Sequence, residues 1–157
     1  MAALFGLVDP ARDTRIYPLV KKTPEHRCLF GGPLDPSKER TAPHIVGLDA
    51  ASEFKDAWLQ EGWGQSWGIM CYAPESLAEV RRHFRNFLQA MLPDRTVALF
   101  RFYDPRVWRV YLPTCNTGEL AQWFAGIEEF VAETPDGRGM IRYTLRDGKL
   151  ESSTEPV

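Results

Sequence analysis

A chain of 157 residues, 44% hydrophobic and 25% charged, has the composition of one globular domain with an ordinary core, which excludes a disordered or fibrous chain. Nineteen basic residues interspersed with 21 acidic ones leave a formal charge of −2 and no overall field to draw in a polyanion, so nucleic acid is not an expected partner. Cys28, Cys71 and Cys115 fit neither a zinc spacing nor a disulfide framework, and MAALFGLVDPARD has no basic leader region and only a short apolar run; reduced thiols, a cytoplasmic location and no membrane partner are expected.

Taken in chain order, the apolar run Ala3 to Val8, closed by Asp9-Pro10, predicts a core strand. Residues 11–22 mix charges with Ile16, Tyr17, Leu19 and Val20 and predict a short helix broken near Pro18. HRCLFGG (26–32) predicts a strand closed by paired glycines, PLDPSKERTAP (33–43) an exposed loop, and IVGLD (45–49) a short buried strand. Phe54, Ala57 and Trp58 share one face of a helix expected over 51–60, with Gly62 as its stop. SWGIMCY (66–72) predicts a buried strand.

The strongest periodicity follows. Leu77, Val80, Phe84, Phe87, Leu88 and Met91 recur at helical spacing opposite Arg81, Arg82, Arg85 and Asn86, predicting a helix capped by Ser76 and Glu79 and ended by Pro93-Asp94. TVALFRFY (96–103) predicts the longest strand, Asp104-Pro105 the start of a helix over 106–112, and Thr117 the cap of another over 117–124. IEEFVAE (127–133) predicts a strand, and MIRYTLRDGKLESS (140–153) a hairpin turning on Asp147-Gly148. Together these elements predict an α/β single domain, a mixed sheet flanked by helices with a C-terminal antiparallel hairpin: residues 1–135 form the main body, and 136–157 a hairpin and polar tail of the same domain.

Chemistry-bearing motifs are sparse. The glycine pairs lack the phosphate-loop and dinucleotide patterns, His26, His44 and His83 have no metal-binding spacing, and no serine sits in a nucleophile elbow. His83 and the row Arg81, Arg82, Arg85 with Lys55 read as a solvated helix flank. Asp9, Asp49 and Asp104 each follow a predicted strand. In parallel strands they would gather at one sheet edge and could serve a metal-dependent hydrolase or ligand-binding enzyme; as helix caps they need no such role.

The ordered series LFGLVD, APHIVGLD, WGIMCYAPESLAEVRRHFRNFL, LFRFYDPRVWRVYLPTC and LAQWFAGIEEFVAE, from about Ala3 to Glu133, resembles the effector adaptor or chaperone family of bacterial type VI secretion systems. These are the Tap/Tec proteins, formerly catalogued as a domain of unknown function, and FRFYDPRV is the most specific piece of the match. The resemblance implies a non-enzymatic, cofactor-free protein that binds a toxic effector and helps load it onto the VgrG spike. Because many members continue into a further variable part, either much of the binding surface is expected to fall here on the core domain, or the protein is expected to serve a small client segment. An apolar groove rimmed by charges is the expected surface, with Arg101, Tyr103, Asp104, Arg106, Trp108, Tyr111 and Trp123 as candidate partner-binding residues; each also reads as a core or corner residue.

Overall fold

The computed structural model describes residues 2–49 and 52–157. Strands β1 (Ala3–Val8), β2 (His26–Cys28), β3 (His44–Gly47), β4 (Gly68–Ala73), β7 (Glu129–Glu133), β8 (Gly139–Arg146) and β9 (Lys149–Pro156) form one seven-stranded sheet. Their order is β2-β3-β1-β4-β7-β8-β9, and every pairing is antiparallel. The α/β class and the C-terminal hairpin are as the sequence predicts. Strand direction reverses at every pairing, so the sheet is antiparallel throughout rather than mixed, which matters for the aspartates below.

Residues in the central strands face opposite sides in turn, and β1 shows why both sides are covered. Phe5 and Leu7 join Ile45, Ile69, Cys71 and Phe130 on one face, under α4 (Leu77–Arg85), α5 (Pro105–Tyr111) and α6 (Thr117–Trp123). Leu4 and Val8 join Val46, Met70 and Val131 on the other, against Ile16 and Val20 of α1 (Ile16–Lys22) and Phe54 of α3 (Glu53–Ala57). Trp58, in the π-helical turn that continues α3, packs onto Gly6 so closely that a Cβ there would lie 2.8 Å from its ring. The result is a helix–sheet–helix sandwich in which β1 is wholly interior.

Several local expectations are corrected. Pro18 does not break α1: it lies in the first turn, where the missing amide has no intrahelical acceptor to lose. The 33–43 loop contains a short helix, α2 (Pro36–Glu39), capped by Asp35. Asn116, not Thr117, caps α6, and with Glu119 it forms a reciprocal capping box.

The largest departure is at 86–103. Helix α4 ends at Arg85, and β5 (Gln89–Met91) pairs with β6 (Val97–Leu99) in a separate two-stranded hairpin, with Pro93-Asp94 in its turn. Phe100 N–H donates to the Leu88 carbonyl at 2.7 Å, drawing the chain after α4 into this ladder. The predicted long strand stops at Leu99, since Phe102 and Tyr103 are consecutive and both fully buried, a placement that strand alternation forbids when only one face meets the core.

At the C-terminus the hairpin turns on two residues, Asp147 and Gly148, at φ 52° and 75°, as a type I′ turn requires. All three cysteines are free, Cys71 deep in the core. Among the described residues no helix is long and apolar enough to cross a membrane.

Candidate functional site

The segment 101–108 turns from the hairpin into α5 at the C-terminal end of β1. Asp104 caps α5 by accepting the Arg106 amide at 2.9 Å, and the Arg106 guanidinium returns to the same carboxylate, Nε to Oδ1 at 3.0 Å and Nη2 to Oδ2 at 2.7 Å. Burial pushes the Asp104 carboxyl upward, but the Arg106 side-chain bond, its amide and the nearby guanidinium charges outweigh that and hold the pKa below the usual carboxylate range.

Asp9 ends β1 at the same corner. It accepts the Ala11 amide at 3.2 Å and lies 3.8 Å from Arg101, yet burial dominates and raises its pKa. Tyr103 is fully buried beside it. Desolvation, then the Asp9 charge, pushes the phenol up to about 12, and its hydroxyl has no hydrogen-bond partner among the described residues.

Asp49 is not part of this group. Its Oδ1 accepts the Leu4 amide at the start of β1, whereas Asp9 follows the last residue of that strand, roughly 16 Å away at strand rise. The antiparallel pairing of β1 and β3 puts their C-terminal ends at opposite ends of the strands. The convergence of three aspartates needed parallel strands, and it does not occur; among the described residues no cluster of three potential metal ligands forms.

The aromatic candidates fall mostly inside. Trp108 is 0% exposed, with ring centroids 4.6 Å from Phe130 and 5.1 Å from Trp123. Trp123 stacks on Phe87 at 3.8 Å and donates its indole N–H to the Tyr111 hydroxyl at 3.2 Å. Tyr103, Trp108 and Trp123 are therefore core residues with no surface to offer a partner, and Asp104 is a buried cap. Arg101 and Arg106 are exposed, and Tyr111 is half-buried at the edge of the aromatic cluster. The helix flank is less solvated than expected: His83 donates to the Trp123 carbonyl at 2.9 Å, and Arg81 Nε donates to the Cys28 carbonyl at 2.7 Å.

Next to the corner is a surface that sequence patterning did not single out. A groove of about 460 Å³ opens between the 29–31 segment and β6, lined by Leu29, Phe30, Leu88, Val97 and Leu99 with Arg85 at its rim. A second recess, about 200 Å³, shares Phe30 and Leu99 with it and runs on past Leu34 and Lys38 to Arg101 and Tyr103. Met91 is 74% exposed, Val97 59% and Leu99 38%, so the hairpin presents apolar side chains to solvent rather than to the core. Arg81 fixes the far wall, donating also to the Phe30 carbonyl at 3.3 Å. A Pro-Asp pair between two short apolar runs was the available signal for this hairpin, and the strong helical spacing before it masked that signal.

Fold and surface thus define a class: an antiparallel α/β sandwich with a cation-rimmed groove beside β6. Residues 4–122 match the family model described as Domain of unknown function (DUF4123), and the chain belongs to that family. No curated protein and no solved structure matches. The matched stretch holds both walls of the groove and the four adjacent strands β2, β3, β1 and β4, while β7 to β9 extend the same sheet beyond it.

Proposed function

We propose that this protein is a cytoplasmic, non-enzymatic adaptor that binds a type VI secretion effector and helps load it onto the VgrG spike. The observation that carries this reading is the pair of adjoining recesses between β6 and the Arg101 corner, which share Phe30 and Leu99, mix apolar with polar lining and are bordered by Arg85, Lys38 and Arg101. Such a surface supplies what client recognition needs, apolar area for affinity and charges at the rim for orientation. The series that resembles the adaptor family includes the FRFYDPRV corner at one end of this groove. The rigid core beneath it, with Trp108 and Trp123 interlocked, would hold the groove in shape before a client arrives.

Co-expression with the products of the neighbouring effector and spike genes tests the proposal. A stable complex with the effector that survives gel filtration is expected; co-purification of neither product would overturn the reading.

A further inference from the structure

Backbone bonds from Leu92 N–H to Thr96 and from Phe100 N–H to Leu88 flank the three cross-strand pairs of β5 and β6. Bonded and non-bonded pairs alternate in an antiparallel ladder, so Met91↔Val97 and Gln89↔Leu99 are non-bonded pairs. The amides and carbonyls of Val97 and Leu99 therefore point away from β5, and among the described residues no strand pairs with that side of β6. All three residues of β6 line the groove, whereas β5 contributes Gln89, so the groove follows the unpaired edge.

Exposed strand edges are normally blunted by charges, proline or a covering element. The outer strand β9 is protected in this way, with Lys149, Glu151 and Glu155 along it and Pro156 at its end. β6 carries only Val97, Ala98 and Leu99, and its edge opens onto an apolar channel. The charged residues that line the channel are all cationic, although Asp9 lies 3.8 Å from Arg101 behind that lining. Arg85, Lys38 and Arg101 line it with no carboxylate among the described lining residues, and among those residues Arg85 and Lys38 have no ion-pair partner. Arg27 and Arg81 add positive charge at the Arg85 end; burial, then Arg85 and Arg27, lowers the pKa of Arg81.

We infer that β6 is a docking strand: an extended client segment bearing both apolar and acidic side chains pairs with its free edge and lies in the groove. This deepens the adaptor reading and rests on it. Main-chain bonds to Val97 and Leu99 fix the direction and register of the segment, Phe30, Leu88 and Leu99 receive its apolar side chains, and Arg85 and Lys38 receive its carboxylates. Strand β6 itself, Val97 to Leu99, offers its free edge to a segment of about three residues at strand rise, because the chain leaves extended geometry after Leu99.

The test uses the full chain and the complex with the neighbouring effector. Val97→Pro removes an outward amide without taking a bond from the β5–β6 ladder; Leu99→Glu and Arg85→Glu place negative charge in the groove; Lys149→Ala on β9 is the control. Each groove variant is expected to weaken the complex by about tenfold or more, the control to leave it unchanged, and thermal melting to stay near wild type. Should Val97→Pro disturb the hairpin, the two side-chain variants still decide. A photo-crosslinker replacing Leu99 is expected to capture one short effector segment containing Asp or Glu. A wild-type complex insensitive to all groove variants overturns the docking strand and leaves the adaptor reading intact, whereas no complex at all removes the adaptor reading and this inference with it. A dimer of the free protein that Val97→Pro dissociates would put a second copy in the groove and overturn the client assignment.

Discussion

Arg106 closes a ring onto Asp104 two residues before it: the same carboxylate accepts the Arg106 amide at 2.9 Å and both arms of its guanidinium. The carboxylate is buried and the arginine side chain about half exposed, at 8% and 52%. The helix cap is thus the structural half of the contact, and the exposed guanidinium contributes little on its own. Asp104→Ala is expected to destabilise the domain by ~0.5–2 kcal/mol through cap loss, Asp104→Asn by much less because Asn caps nearly as well, and Arg106→Ala by under ~1 kcal/mol. Urea midpoints of the three variants give the comparison.

The two aspartates of this corner respond to pH with opposite sign. Asp104 has a folded pKa below its ordinary 3.8, so its stabilisation is complete above that value and is lost as pH falls through the folded pKa. For Asp9 the folded pKa is raised: ionisation costs stability, and the cost, absent below 3.8, grows as pH rises through the folded pKa. Asp104→Asn should therefore flatten the acid limb of the stability curve. Asp9→Asn should gain relative to wild type as pH rises from about 3 to 7. Denaturant titrations across this range check both; parallel curves for the two variants would contradict the assignment.

Trp108 and Arg101 mark the core and the exposed side of the same corner. Trp108→Ala should cost ~3–5 kcal/mol, as expected for a large side chain with no exposed area, and lower the cooperativity of unfolding. Trp108→Phe should cost less, because it removes an indole N–H that has no partner among the described residues. By contrast, Arg101→Ala should cost far less than Trp108→Ala, although it removes the cation 3.8 Å from buried Asp9, and on the proposed adaptor reading it should weaken effector binding, since its side chain is 53% exposed and borders the groove.

Glu133 at the end of β7 organises the turn before β4. Its Oε1 accepts the Gly64 amide at 3.0 Å and the Ser66 amide at 3.2 Å, and Gly64 and Ser66 both sit at positive φ, 87° and 60°. Glu133→Ala would orphan two amides and should cost ~1–3 kcal/mol, whereas Glu133→Gln keeps one side-chain oxygen as acceptor and should lose less. Amide hydrogen exchange at Gly64 and Ser66 is the direct readout: protection should fall in the alanine variant first.

Much of the architecture was legible in the sequence because it follows from local rules. The apolar run of β1, the start of α4 with its Ser76 cap, the Asp104-Pro105 start of α5 and the Asp147-Gly148 turn each depend on residues within a few positions of one another. The hairpin β5–β6 was not legible. Leu77 through Met91 keep helical spacing to the end, and it is pairing with residues 96–100, from Leu92 N–H to Thr96 through to Phe100 N–H to Leu88, that takes the chain out of the helix after Arg85.

The site divides the same way. Sequence alone determined that the 101–108 corner would hold a capped helix with aromatic and cationic residues around it. Tertiary structure decided which of them meet solvent: Trp108 is enclosed by Phe130 of β7, Tyr143 of β8 and Trp123 of α6, Trp123 by Phe87, Phe100, Phe102 and Tyr111, and Arg101 and Leu99 are left at the surface because no described element pairs with the outer edge of β6. It also dispersed the aspartates. A residue type states how well its side chain tolerates burial, but strand direction sets which ends of the sheet come together, and in this antiparallel sheet Asp9 and Asp49 end up at opposite ends of β1.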